Sequence, residues 1–372
     1  MIKILHISYS FKKGGAAIAS NNIIKSIKKN GTKIYKYSFK NLVEENFFLS
    51  LKVLIINFFF KLINLNNKKS SFNYFRINHL RKINKKFDIV HLHWIGNEFF
   101  SLNEILEIKN KIIWTIHDDW LKNTITHIGK EDKANNFILS FYKNKITKLK
   151  NKLFKKNIIF IAPSRYILNN LKKITKSKIY LIRHPINEKV FNLKSINTKK
   201  IIFNIGGSNV FNDKNKGSIL IDKLLNTAYS HIKTNYEFVF FGSKNYKNIF
   251  YLNKNIQLNK FVQPSNVAKI FNRSNYTFVL SEVESFSLIA AESLMCGCPV
   301  ICFNDNAVAE LITHKQNGYL LKRNDKNCLI DLMKWIKKNP NYFNRKKISA
   351  EANKEFSYKS ISLKYNKIYE TI

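Results

Sequence analysis

Residues 281–303 read SEVESFSLIAAESLMCGCPVICF, with two glutamates, Glu284 and Glu292, eight positions apart. The run before them, YTFVLSE, has the aromatic and β-branched content of a buried strand. A helix is predicted from about Ser285, closed by Gly297, with Pro299 barring continuation. At its start the backbone amides of Phe286, Ser287 and Leu288 have no helical acceptor. Together with the helix dipole they favour a phosphate. Glu292 falls two turns along on the same face, ~10 Å from Ser285. A charge set among Leu288, Ile289, Ala290, Ala291, Leu294 and Met295 is out of place in an ordinary apolar helix. At that reach a carboxylate can accept hydrogen bonds from both hydroxyls of a ribose whose phosphates sit on the helix end. Glu284, just ahead of the helix, then stands on the far side of a pyrophosphate.

Outward from this stretch the chain alternates strands and helices. In the first half IKILHIS (2–8), KIYKYSF, FDIVHLHW (87–94), KIIWTIHD (111–118), NIIFIAPS (157–164) and KIYLIRHP (178–185) are short apolar runs separated by helical patterns. The first turn, FKKGG, leads into a helix that Gly31 would cap. After the polar stretch PINEKVFNLKSINTKK (185–200), read as a linker, the pattern restarts with KKIIFNIGG, EFVFFGS, NIQLNKFV, YTFVLSE and PVICF. Such alternation implies parallel sheets covered by helices on both faces. The expected fold is therefore α/β, with two Rossmann-like doubly wound domains facing a central cleft: residues 1–186, residues 187–354, and a C-terminal helix, 355–372, crossing back to the first domain. Ligands in such sheets sit beyond the carboxyl ends of the strands. Gly14 and Gly15, in the first strand–helix turn, let backbone approach a ligand closely.

The 372 residues carry a formal charge of +40 from 64 basic and 24 acidic side chains. Only seven of the basic residues are Arg, and the lysines run along the whole chain, with no zinc-finger spacing, RNP-type aromatic motif or basic arm. That argues against nucleic acid and for an anionic membrane surface. Residues 46–63, NFFLSLKVLIINFFFKLI, are the most apolar region, interrupted by Lys52 and Lys61 and too short to span a bilayer. Two readings stay open: a helix packed in its domain, or an interfacial segment with snorkelling lysines. Cys296, Cys298, Cys302 and Cys328 form no Cys-x-x-Cys pair and read as reduced thiols. His91 and His93 alternate on one strand, but the sequence offers no third ligand, so no metal site is expected.

The stretch E-S-F-S-L-I-A-A-E-S-L-M-C-G-C-P-V resembles the Glu-x7-Glu signature of the retaining GT-B glycosyltransferases of family 4. Other motifs follow in the family's order: ILHISYSFKKGGAAIASNNIIKSIKKNG, HLHWIGNEFFSL with IIWTIHDDW, IAPSRYILNNL, IRHPINEKVF, FNIGGSNVFNDKNKG and the terminal FSYKSISLKYNKIYETI. The resemblance covers nearly the whole chain, and HLHWIGNEFFSL followed by IIWTIHDDW resembles a bacterial branch that builds surface polysaccharides. It implies that Glu292 binds the donor ribose, Glu284 a hydroxyl of the donor sugar, and the amides of Phe286, Ser287 and Leu288 the pyrophosphate. Lys216 would neutralise the departing diphosphate, an electrostatic task, and His117 would lie beside the reacting sugar, with Asp118 a weaker candidate. The family's phosphate-binding Arg is missing from G-G-S-N-V, leaving Lys214 or Asn209 in its place. Val262, in the loop with Phe261 and Gln263, would help read the base.

The implied enzyme is a metal-independent hexosyltransferase without cofactor. It would use a nucleotide-sugar donor and a lipid-linked or oligosaccharide acceptor, in the cytoplasm at the inner face of the membrane. A sugar-nucleotide epimerase on the same fold, and a basic nucleic-acid- or membrane-binding protein, are the alternatives. The Glu284/Glu292 pair with the NKG loop weighs against the epimerase, and steeply salt-dependent nucleic-acid affinity without nucleotide-sugar binding would mark the binding protein.

Overall fold

The computed structural model describes residues 1–27, 32–64, 69–77, 86–130, 133, 136–194, 200–207, 210–232, 235–242, 255–260 and 262–372. Gly31, Asn209 and Phe261, all named above, lie outside the described residues. The chain forms two compact units, Met1–Pro185 with Ile361–Ile372, and Ile186–Ser360.

The first unit runs β1 (Ile2–Ile7), α1 (Gly15–Ser26), β2 (Thr32–Tyr37), α2 (Phe39–Glu45), α3 (Phe47–Ile63), β3 (Ile89–Leu92), α4 (Leu102–Glu107), β4 (Lys111–Thr115), α5 (Phe137–Leu153), β5 (Ile158–Ala162), α6 (Arg165–Lys172) and β6 (Ile179–Leu181). Its sheet has the order β2-β1-β3-β4-β5-β6, every pair parallel. The central strands are buried on both faces, which is why they read as unbroken apolar runs. The order reverses between β1 and β3, so the loops after those strands flank the crevice where this architecture binds ligands.

The second unit runs β7 (Ile201–Gly206), α7 (Ser218–Ile232), β8 (Tyr236–Phe241), β9 (Ile256–Asn259), α8 (Pro264–Arg273), β10 (Tyr276–Val279), α9 (Leu288–Met295), β11 (Val300–Phe303), β12 (Gly318–Leu321), α10 (Cys328–Lys338) and α11 (Arg345–Phe356). Its parallel sheet, β12-β11-β10-β7-β8-β9, is the Rossmann order 3-2-1-4-5-6 in local numbering. The switch point lies between β7 and β10. The expected two doubly wound domains are thus present.

Two boundaries differ from the sequence reading. The stretch from 186 is part of the second unit, not a linker: Ile186 and Phe191 are buried in its core, and the Phe191 ring lies 6.3 Å from Phe271. Its polar appearance hides two apolar anchors whose partners come from distant helices. At the other end, Phe356 is buried in the second unit and its carbonyl accepts a hydrogen bond from the Ile186 amide, so the second unit extends through Ser360 rather than 354. The last helix, α12 (Tyr358–Glu370), then buries Ile361, Tyr365, Ile368 and Tyr369 against Ile4, Ile89, Ile113 and Ile161 of the first sheet. All four cysteines are free.

Candidate active site

In the second unit two loops meet at the switch point. After β7 the chain forms a 3-10 turn, Lys214–Lys216, capped by the Asp213 carboxylate, which accepts from the Asn215 amide. Gly217 follows with φ of 80°, and a Cβ there would lie 2.5 Å from the Leu280 carbonyl oxygen. Only glycine supplies both the left-handed backbone and the close approach. The Glu282 amide donates to the Asn215 carbonyl at 2.9 Å, which ties the turn to the end of β10. This clamp brings Lys216 Nζ to 2.6 Å from Glu284 Oε1, and Ser281 Oγ donates to the same oxygen at 2.9 Å. A cation and a carboxylate 68 residues apart are thereby fixed where a Rossmann sheet binds its ligand. Lys214, in the same turn, is exposed.

The helix of the opening stretch begins three residues later than the sequence predicts. Its first residue is Leu288, with Ser287 as N-cap accepting from the Ala290 amide at 3.3 Å. Phe286 lies ahead of the cap, buried with its ring 6.1 Å from Phe356. The amides at the helix head are therefore those of Leu288 and Ile289, not Phe286. Glu292 is five residues from the cap, ~7.5 Å along the axis, and partly buried. Among the described residues its carboxylate makes no hydrogen bond or ion pair, and burial pushes its pKa up to about 8. An unpaired acid perturbed in this way near a helix N-terminus is the mark of a ligand site. Val262 packs partly buried on the second core and lines an open depression of about 460 Å³ beside α8 with Lys260, Lys269 and Arg273.

The first unit gathers histidines at the carboxyl end of its sheet. Gly14 caps α1 with φ of 98°, a conformation that needs glycine; Gly15 opens the helix, and a Cβ on either would meet nothing within 4 Å. His117 follows β4. Its Nε2 lies 3.2 Å from His93 Nδ1 and 3.4 Å from Ser20 Oγ. His93 Nε2 in turn lies 2.9 Å from His6 Nδ1. Ring centroids 5.2 and 5.5 Å apart place these three imidazoles head to tail, each pair sharing one proton. His184 stacks on His117 at 4.9 Å. Burial lowers all of them, His6 to about 3 and His117 to about 4, with Asp118 drawing His117 partly back up. These imidazoles are therefore neutral at physiological pH.

The third histidine that sequence alone did not place beside His91 and His93 is His6, register partner of His91 across β1 and β3. The His91 nitrogens lie 2.7 Å from Tyr369 Oη and 2.8 Å from Thr115 Oγ1, so α12 is hydrogen-bonded into this cluster. Asp118 is held by His127 Nδ1 at 2.5 Å and Trp94 Nε1 at 2.7 Å, while His127 Nε2 lies 2.8 Å from Ser71 Oγ. The order Ser71–His127–Asp118 has the form of a nucleophile triad. Ser71 is only 1% exposed, however, and its oxygen accepts from the Asn97 amide, so the three act as a buried latch behind the His117 loop.

Two doubly wound Rossmann-type units in one chain form the fold of the GT-B glycosyltransferases. Comparison with known proteins narrows this. Residues 191–355 match the family model of glycosyl transferases group 1, and residues 40–190 match that of glycosyltransferase family 4. Together the two matches span residues 40–355 and support a GT-B glycosyltransferase of the family-4 type.

Among curated relatives, it is 26% identical over 57% of its length to an uncharacterized glycosyltransferase of Methanocaldococcus jannaschii, and 23% identical over 66% to N-acetyl-alpha-D-glucosaminyl L-malate synthase of Bacillus anthracis. The matches span 59% and 64% of those relatives' own lengths. Among solved structures, a sucrose-phosphate synthase of Thermosynechococcus elongatus has a TM-score of 0.70 at 13% identity, covering 100% of this chain and 99% of that one. Anabaena HepE in complex with UDP-glucose has a TM-score of 0.66 at 12% identity, with both chains covered in full. At such identities these two likenesses describe the fold.

Proposed function

We propose that this chain is a retaining glycosyltransferase that moves a sugar from a nucleoside-diphosphate sugar to a hydroxyl of a lipid-linked saccharide. The setting is bacterial surface-polysaccharide assembly, on the cytoplasmic side of the membrane. The observation that carries the reading is the Lys216–Glu284 pair at the β7/β10 switch point, beside the head of α9. The nucleotide sugar bound by a protein of the same fold, HepE, supports the donor class.

In this reading the diphosphate lies on the amides of Leu288 and Ile289, and Glu292 accepts hydrogen bonds from the ribose hydroxyls. Donor binding draws Lys216 from Glu284 toward the β-phosphate. Glu284 then accepts from a sugar hydroxyl. As the bond from the anomeric carbon to the phosphate oxygen breaks, negative charge grows on that oxygen and Lys216 stabilises it. The acceptor oxygen bonds the anomeric carbon on the same face, and its proton passes to the leaving phosphate. None of these steps calls on a metal or cofactor.

The test is to incubate the protein with a panel of nucleotide sugars and a lipid-extracted saccharide acceptor, and to read the anomeric configuration of the product by NMR. A glycosylated acceptor with the donor's configuration supports the proposal. An inverted product, or an epimerised donor without transfer, refutes it.

A further inference from the structure

The helix α3 is amphipathic in the wrong sense for a domain helix. Its buried residues are Ser50, Val53 and Phe60, with Phe60 stacked on Phe72 at 3.9 Å. The stripe Phe48, Leu51, Ile55, Phe58 and Leu62, spaced three and four apart, faces outward; Phe48 is 81%, Ile55 60% and Phe58 63% exposed. The start of α5 adds Phe137, 85% exposed, with Ile138 and Phe141. The two elements form one surface, because the Phe59 and Phe60 rings contact Tyr142 at 6.4 and 5.0 Å and Asn136 Nδ2 donates to the Ile63 carbonyl. Solitary exposed apolar residues need no explanation, but a continuous stripe of this kind marks an interaction site.

We infer that this face docks on an acidic lipid surface, lying in the interface rather than crossing it. Charge selects the occupant. The only charges on α3 are Lys52 and Lys61, and α5 carries lysines alone, including Lys145, whose ammonium sits 5.3 Å from the Phe141 ring. Neither helix has an acidic residue. A second copy of a +40 chain would meet this face with repulsion, whereas anionic headgroups attract it. Among the described residues no helix is long and apolar enough to cross a membrane. At 17 residues, α3 is ~25 Å long, and its lysines can reach headgroups while the aromatic stripe enters the acyl boundary. The sequence left this segment open between packing and interface; one edge does the first and the opposite face does the second.

The test is co-sedimentation of the whole protein with vesicles of phosphatidylcholine alone or with phosphatidylglycerol added. Because no sugar is involved, its outcome is independent of the transferase reading. Wild type is expected to bind the acidic vesicles. Phe48→Ser with Ile55→Ser and Phe58→Ser should weaken partitioning by about tenfold or more, with the melting temperature unchanged because all three side chains are exposed. Lys61→Gln with Lys145→Gln should weaken binding to acidic vesicles only. The inference is overturned if wild type ignores acidic vesicles at low salt. It is equally overturned if the triple serine variant binds as wild type does, which would leave the overall charge as the sole cause, or if the triple variant instead abolishes a self-associated state.

Discussion

Lys216 Nζ and Glu284 Oε1 stand 2.6 Å apart although the two side chains belong to loops on different strands. With a third of the lysine and a sixth of the glutamate exposed, the pair adds only ~0–1 kcal/mol to stability. Stability does not account for that geometry, whereas the proposed function does. Lys216→Ala should leave the melting temperature within a degree or two while lowering kcat by about 10²–10³, the usual cost of removing one transition-state charge partner. The affinity for the nucleoside diphosphate should change far less. Steady-state kinetics beside calorimetry separates the two effects.

Gly217 carries the placement of that lysine. A Cβ would strike the Leu280 carbonyl, and φ of 80° is strained for any L side chain. Gly217→Ala should cost ~1–3 kcal/mol and reduce activity together with stability. A variant of unchanged melting temperature and full activity would show that the turn is not fixed as described.

Glu292 predicts a pH dependence. Its folded pKa, about 8, lies above the ordinary 4.5. The folded state thus holds a proton that the unfolded chain releases, and stability falls as pH rises from about 4.5 through 8. Glu292→Gln should therefore melt higher than wild type at pH 9 and close to it at pH 4. Ligand binding runs the other way, because only the carboxylate accepts from both ribose hydroxyls. Nucleoside diphosphate affinity should rise between pH 7 and 9 in wild type relative to Glu292→Gln.

The latch behind His117 makes a further prediction. Burial pushes the Asp118 carboxyl up, but the charge and hydrogen bond of His127, with the Trp120 amide and Trp94, hold it below the usual range. A depressed acid contributes stability above its unfolded pKa of 3.8 and loses it as pH falls through the folded value. His127→Ala should destabilise the protein by ~2–4 kcal/mol at pH 7, and the gap to wild type should narrow toward pH 3. Chemical denaturation at the two pH values checks both statements.

Much of this organisation was legible in the residues. Strands buried on both faces announce themselves as apolar runs, and the Glu-x7-Glu spacing with the NKG turn pointed to the two loops that the fold joins through Lys216 and Glu284. The start of α9 was not legible, because Ser285 and Ser287 can both cap a helix; burial of Phe286 against Phe356, a contact 70 residues away, selects Ser287. The imidazole chain was equally hidden. His6 looks like one more strand residue until parallel pairing sets it beside His91 and His93. No local periodicity reports a partner 85 residues distant. The outward stripe of α3 has the same spacing as an inward one, so only the packing of Phe60 on Phe72 tells which face is buried.

The most direct measurement is calorimetric titration of UDP, GDP, ADP, TDP and CMP into wild type and Glu292→Ala at pH 8.5. The account predicts that one diphosphate binds the wild type and that the variant loses at least tenfold in affinity for it, with its fold intact by circular dichroism. If no nucleotide binds wild type, or if the variant binds as tightly, the switch point of the second unit is not the donor site.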